Sequence, residues 1–132
     1  MLNSKMMVNY NKLEKINSDL WHAKASRILE STEIFPYNNV SDEIIEKYLL
    51  SGQFIDTIDG IHKENTINHH AQRIASLINL IQTGVTLKPV LIYCNYINDE
   101  VFHIQGIDDG WHRLRASYYL DQPIRFILDF NE

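Results

Sequence analysis

From Thr66 to Thr83 the apolar residues Ile67, Ile74, Leu77, Ile78 and Ile81, together with His70, return at helical spacing, and Gly84 follows where a C-terminal cap falls. This predicts a helix over 66–83. Beyond it the period shortens, so that Lys88–Tyr96 and Val101–Ile107 read as strands joined antiparallel across Asn98-Asp99-Glu100. Asp108-Asp109-Gly110 is a turn signal, Trp111–Leu120 has helical composition, and Pro123–Phe130 reads as a closing strand. In the first half, Ser41 is a good N-cap, Asp42 and Glu43 suit a first turn, and Gly52 suits a C-terminal cap. A helix over Ser41–Leu50 follows, with Ile44, Ile45, Tyr48 and Leu49 on its buried side.

Upstream, Leu13, Ile16, Leu20, Ala23 and Ile28 recur near helical spacing, widened by Trp21, Ala25 and Leu29, which predicts an amphipathic helix over Tyr10–Glu30. Met1–Asn9 reads as a lead-in and Ser31–Asn39 as a loop. Gln53–Ile58 alternates as a short strand, and Asp59-Gly60 is a turn before a polar stretch. The expected fold class is α+β, a small mixed sheet with packed helices. Residues 1–65 form an N-terminal helical extension and residues 66–132 a core, the two making one compact domain.

Composition narrows the functional classes. A chain of 132 residues with 45% hydrophobic content fits one domain with a core. A formal net charge of −5 and a pI of 5.6 disfavour the extended basic surface that dominates nucleic-acid affinity. One cysteine, Cys94, excludes a disulfide within the chain, and its apolar strand suits a core thiol better than a reactive one. No apolar run approaches the roughly 20 residues needed to cross a bilayer, and residues 1–10 show no secretory pattern. A cytoplasmic protein without membrane association is expected.

Candidate chemistry gathers in one stretch, Asp108 to Arg115. Asp109 can cap the helix that begins after Gly110, which places His112 and Arg113 in a first turn whose dipole favours acids over bases. Basic groups there suit an anion: backbone N–H groups, a glycine that lets a ligand approach, and arginine forks make a phosphate-sized site. The competing reading has Asp108 and Asp109 pairing internally with Arg113 and Arg115. Apolar residues surround most of the helix, so both arginines need carboxylate or phosphate partners.

Gly110-Trp111-His112-Arg113-Leu114-Arg115-Ala116 resembles the Gly-x-x-Arg-x-Arg-Ala box of the ParB/sulfiredoxin-like superfamily, in its DGQHR-type branch. Upstream, the helix, Gly84 and the strand after Pro89 are similar to that family's order, and Gln122–Leu128 is similar to its closing strand. The resemblance spans roughly Thr66 to Asp129. It implies a nucleotide such as CTP or ATP; Gly110, His112, Arg113 and Arg115 are expected to hold its phosphates, with Asp108 or Asp109 positioning Mg²⁺ or the helix cap. Asp109 and His112 are then the candidates for catalysis of NTP hydrolysis or phosphoryl transfer. Trp111 stands where sulfiredoxins carry their reactive cysteine, so reductase chemistry is not expected. Centromere binding and spreading along DNA, the work of partition proteins with helix-turn-helix and dimerisation regions, are likewise not expected.

Two alternatives come from other classes. A non-catalytic regulator or inhibitor would meet a protein partner through residues 10–50. A small metal-dependent nuclease would use Asp99, Glu100, Asp108 and Asp109, although the first two lie at the far end of a hairpin strand. His62, His69, His70 and His112 show no metal-ligand spacing, and no metal site is expected; His69 or His70 suits a helix cap better. Hydrolase elbows, Walker loops and dinucleotide fingerprints are missing from the sequence.

Overall fold

In a computed structural model that describes residues 6–30, 36–55 and 66–130, six strands form one curled sheet in the order β1-β5-β4-β6-β3-β2. The strands are β1 (Met7–Asn9), β2 (Glu14–Lys15), β3 (Leu20–Lys24), β4 (Val90–Tyr96), β5 (Val101–Asp109) and β6 (Pro123–Phe130). The described helices are α1 (Ala25–Leu29), α2 (Asp42–Ser51), α3 (Ile67–Gln82) and α4 (Trp111–Leu120). β4 and β6 are parallel and every other pairing is antiparallel. The mixed α+β class is as expected.

The second half follows its sequence signals closely. Thr66 caps α3 through a reciprocal box in which its hydroxyl accepts from the His69 backbone N–H and its own N–H donates to His69 Nδ1. That is the capping role expected of one of the paired histidines. Gly84 takes the left-handed conformation just past the cap, with φ 89°. β6 has the expected bounds, whereas β4 starts at Val90 rather than Lys88. Ile67, expected on the buried side of α3, is 40% exposed. Ser41 caps α2 and Gly52 ends it at φ 72°, with Ile45 and Tyr48 buried between α2 and α3.

The expected helix over Tyr10–Glu30 is absent. Tyr10–Lys12 is a single 3₁₀ turn, residues 14–15 and 20–24 are strands, and only Ala25–Leu29 is helical. The apolar spacing suited a helix, but Asn17-Ser18-Asp19 breaks it: the Asn17 carboxamide accepts from the Leu20 N–H, and Ile16 N–H donates to Leu20 C=O, closing a hairpin. β3 then pairs along its whole length with β6, and Ala23 is buried there. The extension expected to be helical therefore builds much of the sheet. Gln53–Ile55 is not a strand; positions 56–58, the turn at Asp59-Gly60, the polar stretch 61–65 with His62, the lead-in over 1–5 and positions 31–35 of the predicted loop lie outside the described residues.

Two apolar layers result. One face of the sheet presents Val90, Ile92, Phe102, Ile104, Phe126 and Leu128, which pack with Ile28 of α1 and Leu114 of α4. The second cluster lies among α2, α3 and α4, where Ile45, Ile74, Ile78 and Ala116 are buried. α4 touches both layers, so whatever its first turn does is done from a fixed support. Cys94 sits fully buried in the first layer, and burial pushes its thiol up to about 12, as suits a core thiol.

Candidate functional site

The strand-turn-helix corner is present, with its turn compressed into one residue. Asp108 and Asp109 remain in β5, where Asp109 pairs with Leu91, and α4 begins immediately after Gly110. The cap is therefore Gly110 and not Asp109, and glycine brings no side chain to cap the turn. The side chain of Asp109 lies outside the described residues.

Gly110 has a cause other than ligand approach. Its φ of 111° belongs to the left-handed half of conformational space, and a Cβ there would stand 2.9 Å from Val90 Cγ2 and 3.2 Å from Val90 Cα. The glycine lets β5 turn into α4 directly against β4. Leu114 N–H donates to Gly110 C=O at 2.8 Å, closing the first turn.

The two arginines separate. Arg115 points inward and is 3% exposed; its Nη2 donates to Asp42 Oδ1 at 2.6 Å and to the Val40 carbonyl at 3.0 Å. It ties α4 to the start of α2, and its carboxylate partner is neither Asp108 nor Asp109. Arg113 stays half-buried beside the turn, where its Nη1 donates to the carbonyls of Lys88 and Pro89 at 2.7 and 2.9 Å. Its charge is thereby held next to the first turn of α4. Asp108 is exposed and accepts a hydrogen bond from Tyr93 across the β4–β5 ladder, which, after desolvation and the carboxylate's charge, helps raise the tyrosine's pKa.

His112 joins a group that its neighbours in sequence do not announce. His112 Nε2 lies 2.9 Å from His70 Nδ1 of α3, and Tyr37 stacks on both imidazoles, with ring centroids 4.7 Å from His70 and 4.5 Å from His112. A neutral pair places one N–H against one lone pair on that line, and a doubly protonated pair cannot. Burial, and secondarily the charge of His69, pull the His70 pKa below its ordinary value. Residues 37, 70 and 112 come from a loop and two helices, so no linear motif could have joined them. Asp42 was legible as a first-turn acid of α2, but its ion pair with Arg115 was not.

The corner thus brings together Gly110, His112 and Arg113, keeps Asp108 nearby on β5, and turns Arg115 away. Among the described residues no cluster of three His, Cys, Asp or Glu side chains could hold a metal ion. No described helix is long and apolar enough to cross a membrane. Comparison with known proteins finds no matching family model, no matching curated protein and no matching solved structure.

Proposed function

We propose that the first turn of α4 binds a phosphate group, carried by a nucleotide, with His112 and Arg113 supplying positive charge and backbone N–H groups supplying donors. The observation that carries this reading is the makeup of that turn. It opens on a glycine with no side-chain cap and no acid, and it carries two bases where the helix dipole disfavours them. An anion from outside reverses that disadvantage.

The likeness of the Gly110–Ala116 box to the ParB/sulfiredoxin-like superfamily is the reason to name CTP or ATP as the nucleotide and the cytoplasm as its setting. Arg115 leaves the proposed ligand set because it is buried, with its Nη2 turned to Asp42 and Val40. The donor chemistry suits a Mg²⁺ ion that arrives with phosphates: such ions are held by one or two carboxylates and phosphate oxygens, and exposed Asp108 offers one carboxylate. Bound there, the ion would neutralise phosphate charge. His112 can exchange a proton with His70 along their 2.9 Å contact, which makes it, with Asp109, the candidate for any turnover.

Support for a partner surface over residues 10–50 is thinner. Leu13, Ala23, Ala25, Ile28 and Leu29 are buried within the fold, and of the expected stripe over residues 10–29 Ile16 alone is exposed.

Titration calorimetry with ATP, CTP and inorganic phosphate, each with Mg²⁺, tests the reading. A charge-assisted contact contributes about 1.5–3 kcal/mol, so Arg113→Ala is expected to weaken binding by about tenfold to a hundredfold. Wild-type protein that binds none of the three overturns the proposal.

A further inference from the structure

A cavity of about 400 Å³ opens between the end of α3, the segment 85–87 and strands β2, β3 and β6. That is large enough for a small organic ligand. Three chemically active side chains line it in one row across the sheet. Glu14 on β2 stands opposite His22 on β3, and His22 stands opposite Arg125 on β6. Directly opposed residues of antiparallel strands share a face, so the three groups project together. Ile81, Val85 and Leu87 give the same cavity an apolar side.

Arg125 is the anchor. Its Nη2 donates to the Leu87 carbonyl at 2.8 Å, which fixes the guanidinium at the cavity wall. A carboxylate in the cavity pairs with the guanidinium charge and accepts from its remaining N–H groups. A phosphate dianion fits less well, because Glu14 places a negative charge in the same row. At the mouth, Ile16 is 50% and Val85 47% exposed, an apolar rim that suits a short hydrocarbon chain.

We infer that this cavity binds a small aliphatic carboxylate, with Arg125 on the carboxylate, and that Glu14 favours a ligand bearing an ammonium group beside it, an aliphatic α-amino acid. The site is separate from the corner at α4 and does not depend on how that corner is read.

The full chain is titrated with L-leucine, 4-methylpentanoate and inorganic phosphate while backbone amide shifts are followed. Saturable shifts of residues 14–16, 85–87 and 123–125 are expected with leucine, and weaker binding with 4-methylpentanoate. Arg125→Gln should weaken both organic ligands at least tenfold. Glu14→Gln should weaken leucine and leave 4-methylpentanoate unchanged or tighter. Should Arg125→Gln not fold, Val85→Asp at the exposed rim serves instead, since an added carboxylate there should repel both ligands. Saturable binding of neither organic ligand, binding unchanged in the Arg125 or Val85 variant, or preference for phosphate overturns the assignment. Equal binding of leucine and 4-methylpentanoate overturns the role of Glu14.

Discussion

At the scale of single residues, the corner shows why a motif can be visible while the duties of its members are not. Gly110 stands out in the sequence, yet what requires it is Val90, a residue twenty positions earlier. Gly110→Ala would combine a left-handed φ with a 2.9 Å approach to Val90 Cγ2 and 3.2 Å to its Cα, where backbone must shift. A loss of about 2–4 kcal/mol is expected from strain plus overpacking, measured by urea denaturation; a change below about 0.5 kcal/mol, the range of an inert surface substitution, would contradict it. His70 makes a second residue-scale prediction. Its folded pKa lies below the unfolded one because burial and then His69 disfavour its charged form, and the groups facing it are His112 and Tyr37. As pH falls below about 6.5 the unfolded chain takes up the proton first. Stability is therefore complete above that pH and declines below it until the folded pKa has been passed. Melting temperature should drop from about pH 7 to about pH 5, and the drop should shrink in His70→Asn; an identical profile in that variant would exclude the histidine as its source.

Elements were legible in proportion to how local their causes are. Caps helped make α2 and α3 readable, since Ser41, Gly52 and Gly84 act within a turn of their own positions. Residues 10–30 were misread because the spacing of Leu13, Ile16, Leu20 and Ala23 satisfies a helical period, and the strand partner that decided the matter, β6, lies a hundred residues away. Long-range ties between elements were invisible for the same reason. Ser117 of α4 is one: its buried hydroxyl donates to Gln122 C=O at 2.6 Å and accepts from Ala25 N–H at 3.2 Å, joining α4 to α1 and the start of β6. The Arg115–Asp42 pair is another, and it can be tested as an inter-element tie. Asp42→Asn keeps the shape and removes the charge opposite a buried guanidinium, so a loss of about 1–3 kcal/mol is expected. Chemical denaturation showing no loss would mean that the pair does not hold α2 against α4.

For the whole molecule, the order of strands matters more than any one of them. The β4–β5 hairpin and β6 make the centre, and the candidate corner belongs to that centre, so its place in the fold was readable from residues 66–130, whereas the contacts of His112 with Tyr37 and of Arg115 with Asp42 were not. The outermost positions on both sides, β1 and β2, come from residues 7–15. Between them the 3₁₀ turn crosses the sheet, where Tyr10 packs on Phe102, Trp21 and Phe130 and its N–H donates to Glu100 C=O at 3.0 Å. Deleting residues 1–9 would strip β1 from β5 and leave Val8's place in the core empty. The shortened protein is expected to melt lower and to associate, as seen by light scattering after gel filtration; a stable monomer would argue that β1 is dispensable.

One short segment at the beginning of the chain therefore guards both flanks of the sheet against pairing with other molecules. It is made before β5, which it covers on one flank, and before β6, which backs β3 on the other, since those strands come from residues 101–109 and 123–130. A nascent or partly unfolded chain is thus adhesive at both ends of its sheet until that clasp closes.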